Sequence, residues 1–267
     1  MLGRASRRRG VVMDIAFTAH NIRLDDGVFT KPDLGLSMED YPWFISAKRI
    51  LCTVFPGTKN RVRLADLGCL EGGYAVEFAR MGLQVLGLEV RESNFAACRY
   101  VKAHTRLPNL EFVQDDAWNI TNYGRFDAIF CCGLLYHIDR PKRFLQTLSA
   151  ATSKLLILQT HFATETTNVK YELSELTENE SLQGCWYTEF ADDKQFNQRE
   201  DAKWASWENR RSFWVRREYL LQTIRDVGFD LVLEQFDGLG ADIVGSMTSG
   251  EYKTNQRGMF IGIKSDV

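Results

Sequence analysis

The stretch VRLADLGCLEGGYAVEFARMGLQVLGLEV runs from Val62 to Val90 and decides the fold class. One apolar run ends at Asp66, three glycines follow it, and a second apolar run ends at Glu89. Glycine lets the backbone turn sharply and come close to a ligand, and the start of a helix offers unpaired N–H groups. The stretch therefore predicts a strand, a ligand-binding turn, a helix and a second strand.

The two acids of this stretch distinguish between kinds of ligand. The glycine spacing is Gly-x-x-x-Gly-Gly and not the G-x-G-x-x-G that is typical of dinucleotide sites. A carboxylate at Asp66 repels a pyrophosphate but suits a ligand that carries an ammonium group. Glu89 closes the second strand, where an acid can accept hydrogen bonds from ribose hydroxyls.

Short apolar runs alternate with helical stretches after Val62, which indicates a parallel sheet covered by helices on both faces. We predict an α/β fold of the Rossmann-like type, with a seven-stranded, mostly parallel sheet whose last two strands form an antiparallel hairpin. The predicted strands before that hairpin are 62–67, 84–88, 110–113, 126–131 and 155–159, and the predicted helices are 37–55, 74–81, 93–104 and 140–150.

The chain divides into four regions by pattern. They are an N-terminal arm and helix (1–61), a ligand-binding core (62–161), an insertion without a strand pattern (162–214) and a C-terminal completion of the sheet (215–267). The insertion is acidic and leaves the carboxyl edge of a strand, which predicts a lid over the site. A helical cap with no functional role is the alternative.

Three segments, together with Glu89 at the end of the second strand, resemble the class I S-adenosylmethionine-dependent methyltransferases. ADLGCLEGGYAVEFARMG (65–82) resembles their first motif, although Cys69 and Leu70 replace a common glycine, and LEFVQDDAWN (110–119) and FDAIFCCGLLYHIDRP (126–141) resemble their third- and fourth-strand motifs. HNIRLDDGVFTKP (20–32), GLLYHIDRP (133–141) and SFWVRREYLLQTIRDVGF (212–229) are similar to the wobble-uridine tRNA (5-oxyacetate-forming) methyltransferase-like group.

The resemblance implies that S-adenosylmethionine is the cofactor. It places the methionine moiety near the first strand, the ribose at the second strand and the adenine at the third. The residues that it implies for cofactor binding are Asp66, Gly68, Cys69, Gly72, Glu89, Val90, Asp116, Ala117, Cys132 and Gly133.

The resemblance also implies methyl transfer, and the charge pattern favours a small-molecule acceptor, with O-methylation of a hydroxyl as the reaction. The net charge of -2 and the acidic insertion argue against a nucleic-acid acceptor, because binding RNA requires phosphate neutralisation. An RNA- or tRNA-modifying methyltransferase and a non-catalytic, cofactor-binding regulatory subunit are the alternatives.

The remaining composition favours a cytoplasmic protein without a membrane partner. No apolar run reaches the roughly 18 residues that span a bilayer. The six cysteines contain no C-x-x-C pair, which is typical of reduced thiols. A homodimer is left open.

Deprotonation of a hydroxyl acceptor requires a general base, and two histidines are candidates. His161 follows the fifth strand directly and is the first choice, although a hydrogen-bonded strand-end histidine is the alternative; His137 is the second choice, with a structural role as its alternative. We predict no metal site, because His161 and Glu165 are only two ligands. The predicted acceptor-binding residues are His20, as a lid contact in the arm, Tyr136, with packing on the cofactor as its role, and Trp186, Trp207 and Trp214, for which the core of the cap is the alternative.

Overall fold

The computed structural model describes residues 15–165, 168 and 170–265 of the chain. Within these residues a seven-stranded sheet forms the centre, and a three-stranded sheet lies in the insertion. The strands are β1 Arg63–Leu67, β2 Gln84–Glu89, β3 Leu110–Gln114, β4 Phe126–Cys132, β5 Thr152–His161, β6 Thr177–Asn179, β7 Leu182–Thr188, β8 Arg211–Val215, β9 Leu231–Gln235 and β10 Arg257–Ile263.

The helices begin where the sequence favours a helix start. Pro42 and Pro141 occupy the first position of their helices, where a backbone N–H would have no intrahelical partner and proline's lack of one costs nothing. Asp192 caps the short helix that follows it. The helices are α1 Pro42–Val54, α2 Gly73–Arg80, α3 Glu92–Ala103, α4 Pro141–Ala151, α5 Asp193–Asn197, α6 Arg217–Asp226, α7 Ile243–Thr248 and α8 Glu251–Asn255.

The order of the central sheet is β3-β2-β1-β4-β5-β10-β9. Strands β1 to β5 pair in parallel, whereas β10 runs antiparallel to both β5 and β9. The predicted Rossmann-like sheet with an antiparallel C-terminal pair is confirmed. The strand order reverses between β1 and β4, so the carboxyl ends of β1 to β4 meet at the edge where such sheets bind ligands.

The core has two apolar layers, one on each face of the sheet. Leu64, Phe78 and Phe130 belong to one layer, and Leu67 and Ile129 belong to the other. Because neighbouring residues of one strand point to opposite faces, a strand covered on both sides is apolar at nearly every position. This explains why the parallel strands were visible in the sequence.

The expectation that 162–214 lacks strands is wrong. Antiparallel strands β6, β7 and β8 form a small sheet there, and β8 crosses the predicted boundary at residue 214. These strands are short and carry many polar residues, so their periodicity is weak. Gly184 fits the tight pairing because a side chain at this position would clash with the carbonyl oxygen of Trp214. The loop between β9 and β10 is also not a simple turn, since it contains α7 and α8.

Candidate active site

A cavity of about 450 Å³ opens at the carboxyl ends of β1 to β4. The turn after β1 forms its floor, and the ends of β2, β3 and β4 form one side. Residues 18–20 of the N-terminal arm and residues 203–209 of the insertion complete the walls. The cavity is therefore lined by four separate parts of the chain, namely the N-terminal arm, the ligand-binding core, the insertion and, at Arg257, the last strand of the sheet.

Asp66 lies on the floor of this cavity and is 2% exposed. Its Oδ2 has no hydrogen-bond partner among the described residues. Burial raises the pKa of Asp66 to about 8, although a hydrogen bond from the Ala75 backbone N–H acts in the opposite direction. A buried carboxylate with an unsatisfied oxygen is a binding position for a ligand cation.

The turn between β1 and α2 is held by contacts with the N-terminal arm. Glu71 accepts hydrogen bonds from the backbone N–H groups of Thr18, Ala19 and His20, at 2.6, 3.1 and 2.9 Å. His20 Nδ1 accepts a hydrogen bond from the Gly73 N–H at 3.0 Å, which fits a neutral ring, since burial lowers the pKa of His20 to about 4. These contacts fix the arm against the glycine-rich turn.

Glu89 ends β2 at the cavity and is almost completely buried. Its Oε2 accepts a hydrogen bond from the Leu70 N–H at 2.9 Å, and its Oε1 accepts one from the Arg91 N–H at 2.9 Å. Burial raises the pKa of Glu89, whereas these N–H groups lower it. The carboxylate is therefore held in one orientation against the turn after β1.

Asp115 and Asp116 follow β3 and both line the cavity. Asp116 Oδ1 accepts a hydrogen bond from the Trp118 N–H at 2.9 Å and caps the 3₁₀ turn that begins at Ala117. Asp115 accepts hydrogen bonds from the side-chain amide of Asn119 and from the Tyr123 hydroxyl. The two acids are thus fixed by different local contacts.

Arg91 fastens the insertion to the end of β2. Its guanidinium donates hydrogen bonds to the backbone carbonyls of Arg199, Ala202, Ala205 and Ser206, at 2.6 to 3.3 Å. It also lies over the Trp207 ring, 5.4 Å from the centroid. Arg91 therefore joins the ligand-binding core to the loop of the insertion that lines the cavity.

His137 lines the cavity and forms a hydrogen bond with an acid of the insertion. Its Nδ1 lies 2.8 Å from Oε1 of Glu189, whose side chain is only 1% exposed. The Tyr136 ring packs against the imidazole, with ring centroids 4.2 Å apart. The arrangement pairs a histidine at the cavity with a buried carboxylate.

His161 lies outside this cavity. Its ring stacks on Trp214, with centroids 4.6 Å apart, and its Nδ1 donates a hydrogen bond to the Asn255 carbonyl at 2.6 Å. Burial, followed by the charge of Arg257, lowers the pKa of His161 to about 3. It lines a neighbouring cavity of about 390 Å³, and Tyr171 lines the same cavity.

The structure gathers most of the sequence-predicted site residues around the main cavity. Those that line it are Asp66, Gly68, Glu89, Val90, Asp116, Ala117, Cys132, Gly133, His20, Tyr136, His137 and Trp207. Those that do not are Cys69, Gly72, His161, Trp186 and Trp214.

Local packing explains these five positions. Cys69 Sγ lies 3.8 Å from Cys98 Sγ, and a side chain on Gly72 would meet the Phe112 ring at 2.6 Å. Trp186 packs edge-on against Phe213, and Trp214 packs among tyrosines and His161. These residues pack against other side chains and do not line the cavity.

Arg257, Glu189 and Arg91 were missed by the sequence analysis. Arg257 opens β10, lines both cavities and donates a hydrogen bond to Gln159 Oε1 at 2.9 Å. Among the described residues it forms no ion pair with a carboxylate, and its Nε has no hydrogen-bond partner. The only signal for Arg257 in the sequence was its place at the start of a strand. Because this strand runs antiparallel to β5, its first residue lies at the edge of the sheet where the parallel strands end.

Two further observations limit the kinds of site. In the described part of the chain, no three His, Cys, Asp or Glu side chains are grouped so as to hold a metal ion. Among the same residues, every helix is too short or too polar to span a bilayer.

Comparisons with known proteins match this architecture. Residues 64–154 match the family model described as a methyltransferase domain. A tRNA U34 carboxymethyltransferase of Campylobacter hominis is 30% identical over 91 residues, which are 33% of this chain and 32% of the relative. A mitochondrial ubiquinone biosynthesis O-methyltransferase of Arabidopsis thaliana is 28% identical over 93 residues, which are 34% and 29% of the two chains. The chain thus spans about a third of the length of these curated relatives.

The likeness to solved structures extends further along the chain. The N-terminal domain of EvdMO1, crystallised with SAH bound, matches with a TM-score of 0.61 and 22% identity, over 88% of this chain and 84% of that one. At this identity the match shows a shared fold. Together with the domain match, it confirms the resemblance to class I S-adenosylmethionine-dependent methyltransferases.

Proposed function

We propose that the protein is an S-adenosylmethionine-dependent methyltransferase that methylates a hydroxyl of a small-molecule acceptor. The observation that carries the proposal is the buried, unsatisfied Asp66 Oδ2 on the floor of a 450 Å³ cavity. It lies within the segment that matches a methyltransferase domain. An amino-acid ammonium group is the cation that this position suits.

The residues present fit the cofactor. Asp66 would bind its ammonium group, Glu89 its ribose hydroxyls, and Asp116 with the Ala117 N–H its adenine. Gly68 keeps the turn after β1 free of a side chain where the backbone has a φ of 62°. Proteins of the same fold have been crystallised with SAM or SAH bound, which supports this assignment.

The bound cofactor would supply an electrophilic methyl group on a sulfonium. The chain itself would orient the acceptor, exclude water and take up a proton. We assign the proton-accepting role to His137, because it lines the cavity beside a carboxylate. His161 is the weaker candidate, because it lies outside the cavity and its pKa is lowered to about 3.

The walls of the cavity suit an acceptor with an apolar or planar body. Leu34, Tyr41 and Trp204 line the cavity and are 44%, 37% and 64% exposed, so their apolar surface is available to a ligand. The acids Asp115, Asp116 and Glu208 lie on the same walls and disfavour a polyanion. EvdMO1 was also crystallised in the presence of D-fucose, which supports a sugar or a similar hydroxyl-bearing metabolite.

One observation favours a second candidate, the transfer of a carboxymethyl group. Such a group carries a negative charge that the cavity would have to bind. Arg257 is a largely buried guanidinium with no carboxylate partner among the described residues, and its side chain lies over the Tyr136 ring. The curated relative from Campylobacter is named for carboxymethyl transfer.

Calorimetry and a transfer assay would test the proposal. Glu89→Ala should weaken S-adenosylmethionine binding at least about tenfold, because a charged hydrogen bond is worth about 1.5–3 kcal/mol. Glu92→Ala is the matched control, because its side chain is 58% exposed and pairs with Arg99 on the surface. Unchanged affinity in Glu89→Ala would contradict the placement of the cofactor.

A metabolite-extract screen with methyl-labelled cofactor would identify the acceptor, followed by mass spectrometry of the product. A parallel arm would use an analogue whose transferred methyl carries a carboxylate, and selective transfer from it would favour the second candidate. Turnover of tRNA alone, with salt-sensitive binding, would replace the small-molecule assignment. Cofactor binding without any turnover would indicate a regulatory subunit.

A further inference from the structure

Glu189 occupies a position from which it can control the chemistry of His137. We propose that Glu189 is the positioning residue of His137: its carboxylate holds the Nδ1–H, so that Nε2 is kept as the proton-accepting nitrogen. The inference rests on the proposed function, in which His137 takes the acceptor proton, and it adds a residue of the insertion to that step.

The contacts around Glu189 fix the direction of each hydrogen bond. Oε1 accepts from the Ser212 hydroxyl at 2.7 Å and lies 2.8 Å from His137 Nδ1. Oε2 accepts from the Ser206 N–H at 3.0 Å. Because an ionised carboxylate only accepts hydrogen bonds, all three neighbours must be donors. The proton of a neutral His137 therefore lies on Nδ1, and Nε2 is the nitrogen with a free lone pair.

The same carboxylate also seats the loop over the cavity. Ser206 donates its N–H to Glu189, and its carbonyl accepts a hydrogen bond from Arg91 at 3.3 Å. Arg91 in turn donates its backbone N–H to Glu89, the acid that we assign to the ribose. Glu189 therefore contacts both the imidazole and the backbone of the loop, which Arg91 also holds.

The proton transfer balances without any further reactant. The acceptor O–H bond would break and a new N–H bond would form at His137 Nε2, while the acceptor oxygen would form an O–CH₃ bond and the S–CH₃ bond of the cofactor would break, with its electron pair left on the sulfur of S-adenosylhomocysteine. The imidazolium that results lies 2.8 Å from the Glu189 carboxylate, which stabilises its positive charge. The proton then leaves to solvent when the site opens.

The test is Glu189→Gln, which keeps the size of the side chain and removes its charge. The Ser206 N–H is a fixed backbone donor, so the amide oxygen has to face it and the NH₂ group has to face His137. An NH₂ group donates to Nδ1, and this moves the imidazole proton to Nε2. We expect the tautomer to invert, as read from the ¹⁵N shifts of both ring nitrogens, with His137→Asn used to assign the resonance.

The kinetic readout separates positioning from a structural role. We expect kcat to fall at least about 100-fold in Glu189→Gln, with cofactor affinity within about twofold of wild type, because general-base catalysis contributes about 10²–10⁴. Glu178→Gln, on the exposed strand β6 of the same insertion, is the matched control and should change neither readout.

The outcomes distinguish this inference from the proposed function. An unchanged His137 tautomer in Glu189→Gln overturns the positioning role, whether or not kcat falls. If the tautomer inverts in Glu189→Gln but the wild-type protein turns over no acceptor, the positioning role is supported and methyl transfer is contradicted. An inverted tautomer with unchanged kcat also overturns the inference, because the base would then not depend on Glu189.

Discussion

Binding of S-adenosylmethionine should depend on pH through Asp66. Burial raises the pKa of this carboxyl to about 8, so most molecules carry a protonated Asp66 at pH 6. The ammonium group of the ligand needs the ionised form, because only a carboxylate offers the compensating charge. Below pH 8, binding therefore releases a proton, and the affinity rises with pH.

The size of the effect follows from this pKa. The dissociation constant is multiplied by the ratio of total to ionised Asp66, which is about 100 at pH 6 and about 2 at pH 8. The α-amino group of the ligand has a pKa of about 7.7–8.0 and begins to lose its own proton at pH 8, which offsets about two- to threefold of the gain. We expect about 20-fold tighter binding at pH 8 than at pH 6.

Calorimetry in two buffers of different ionisation enthalpy measures both the affinity and the proton release. Asp66→Asn should bind weakly, with an affinity that no longer rises with pH and falls about two- to threefold by pH 8 as the ligand loses its proton, whereas Asp226→Asn, on the exposed face of α6, should behave as wild type. A wild-type affinity that stays within about twofold from pH 6 to pH 8, without proton release, would refute the reasoning.

The same pKa predicts a trade-off with stability in the absence of cofactor. A carboxyl with a raised pKa in the folded state contributes stability below the unfolded pKa of 3.8, and this contribution is lost as the pH rises through about 8. Without cofactor at pH 8, Asp66→Asn should therefore have a higher Tm than wild type. A lower Tm would show that burial of the charge is already compensated.

Two further substitutions probe the turn and the loop. Gly72→Ala places a methyl group 2.6 Å from the Phe112 ring at a φ of 82°, and should destabilise by about 2–5 kcal/mol, or lower Tm by about 5–15 °C. Gly82→Ala has a φ of 95° but open space, so it should lose only about 1–2 kcal/mol, and equal losses would contradict the clash. Arg91→Met removes the hydrogen bonds that hold the loop, so trypsin should cleave after Lys203 at least about tenfold faster, and an unchanged rate would show that other contacts hold the loop.

The central sheet was predictable because burial on both faces leaves a strong signal. Strand β4 is apolar at all positions except Asp127, and the four residues after Arg63 in β1 are buried, while glycines and acids mark the strand ends. The same signal located Asp66 and Glu89, since the carboxyl ends of parallel strands have to meet at one edge. These residues owe their position to local sequence.

The rest of the site depends on contacts between distant parts of the chain. Glu189 reaches His137 from 52 residues away, and Arg257 reaches Gln159 from 98 residues away. No local pattern encodes such pairs, because they arise from how the insertion and β10 pack on the sheet. The strand-end position of His161 was visible, but the side to which its ring turns is set by stacking on Trp214. Its role as a base stays a prediction, which turnover of His161→Ala would test.

The place of β10 in the sheet has a consequence for the order in which the protein folds. The strand lies between β5 and β9, and its first residue, Arg257, pairs with His161, 96 positions earlier. Contacts over such separations form late, because a long loop has to close first. During synthesis, β1 to β5 can pair while residues 257–263 are still in the ribosome, but the nascent chain then lacks the guanidinium beside the cavity. The part of the cavity that Arg257 lines is therefore completed last, after the carboxyl ends of β1 to β4 have come together.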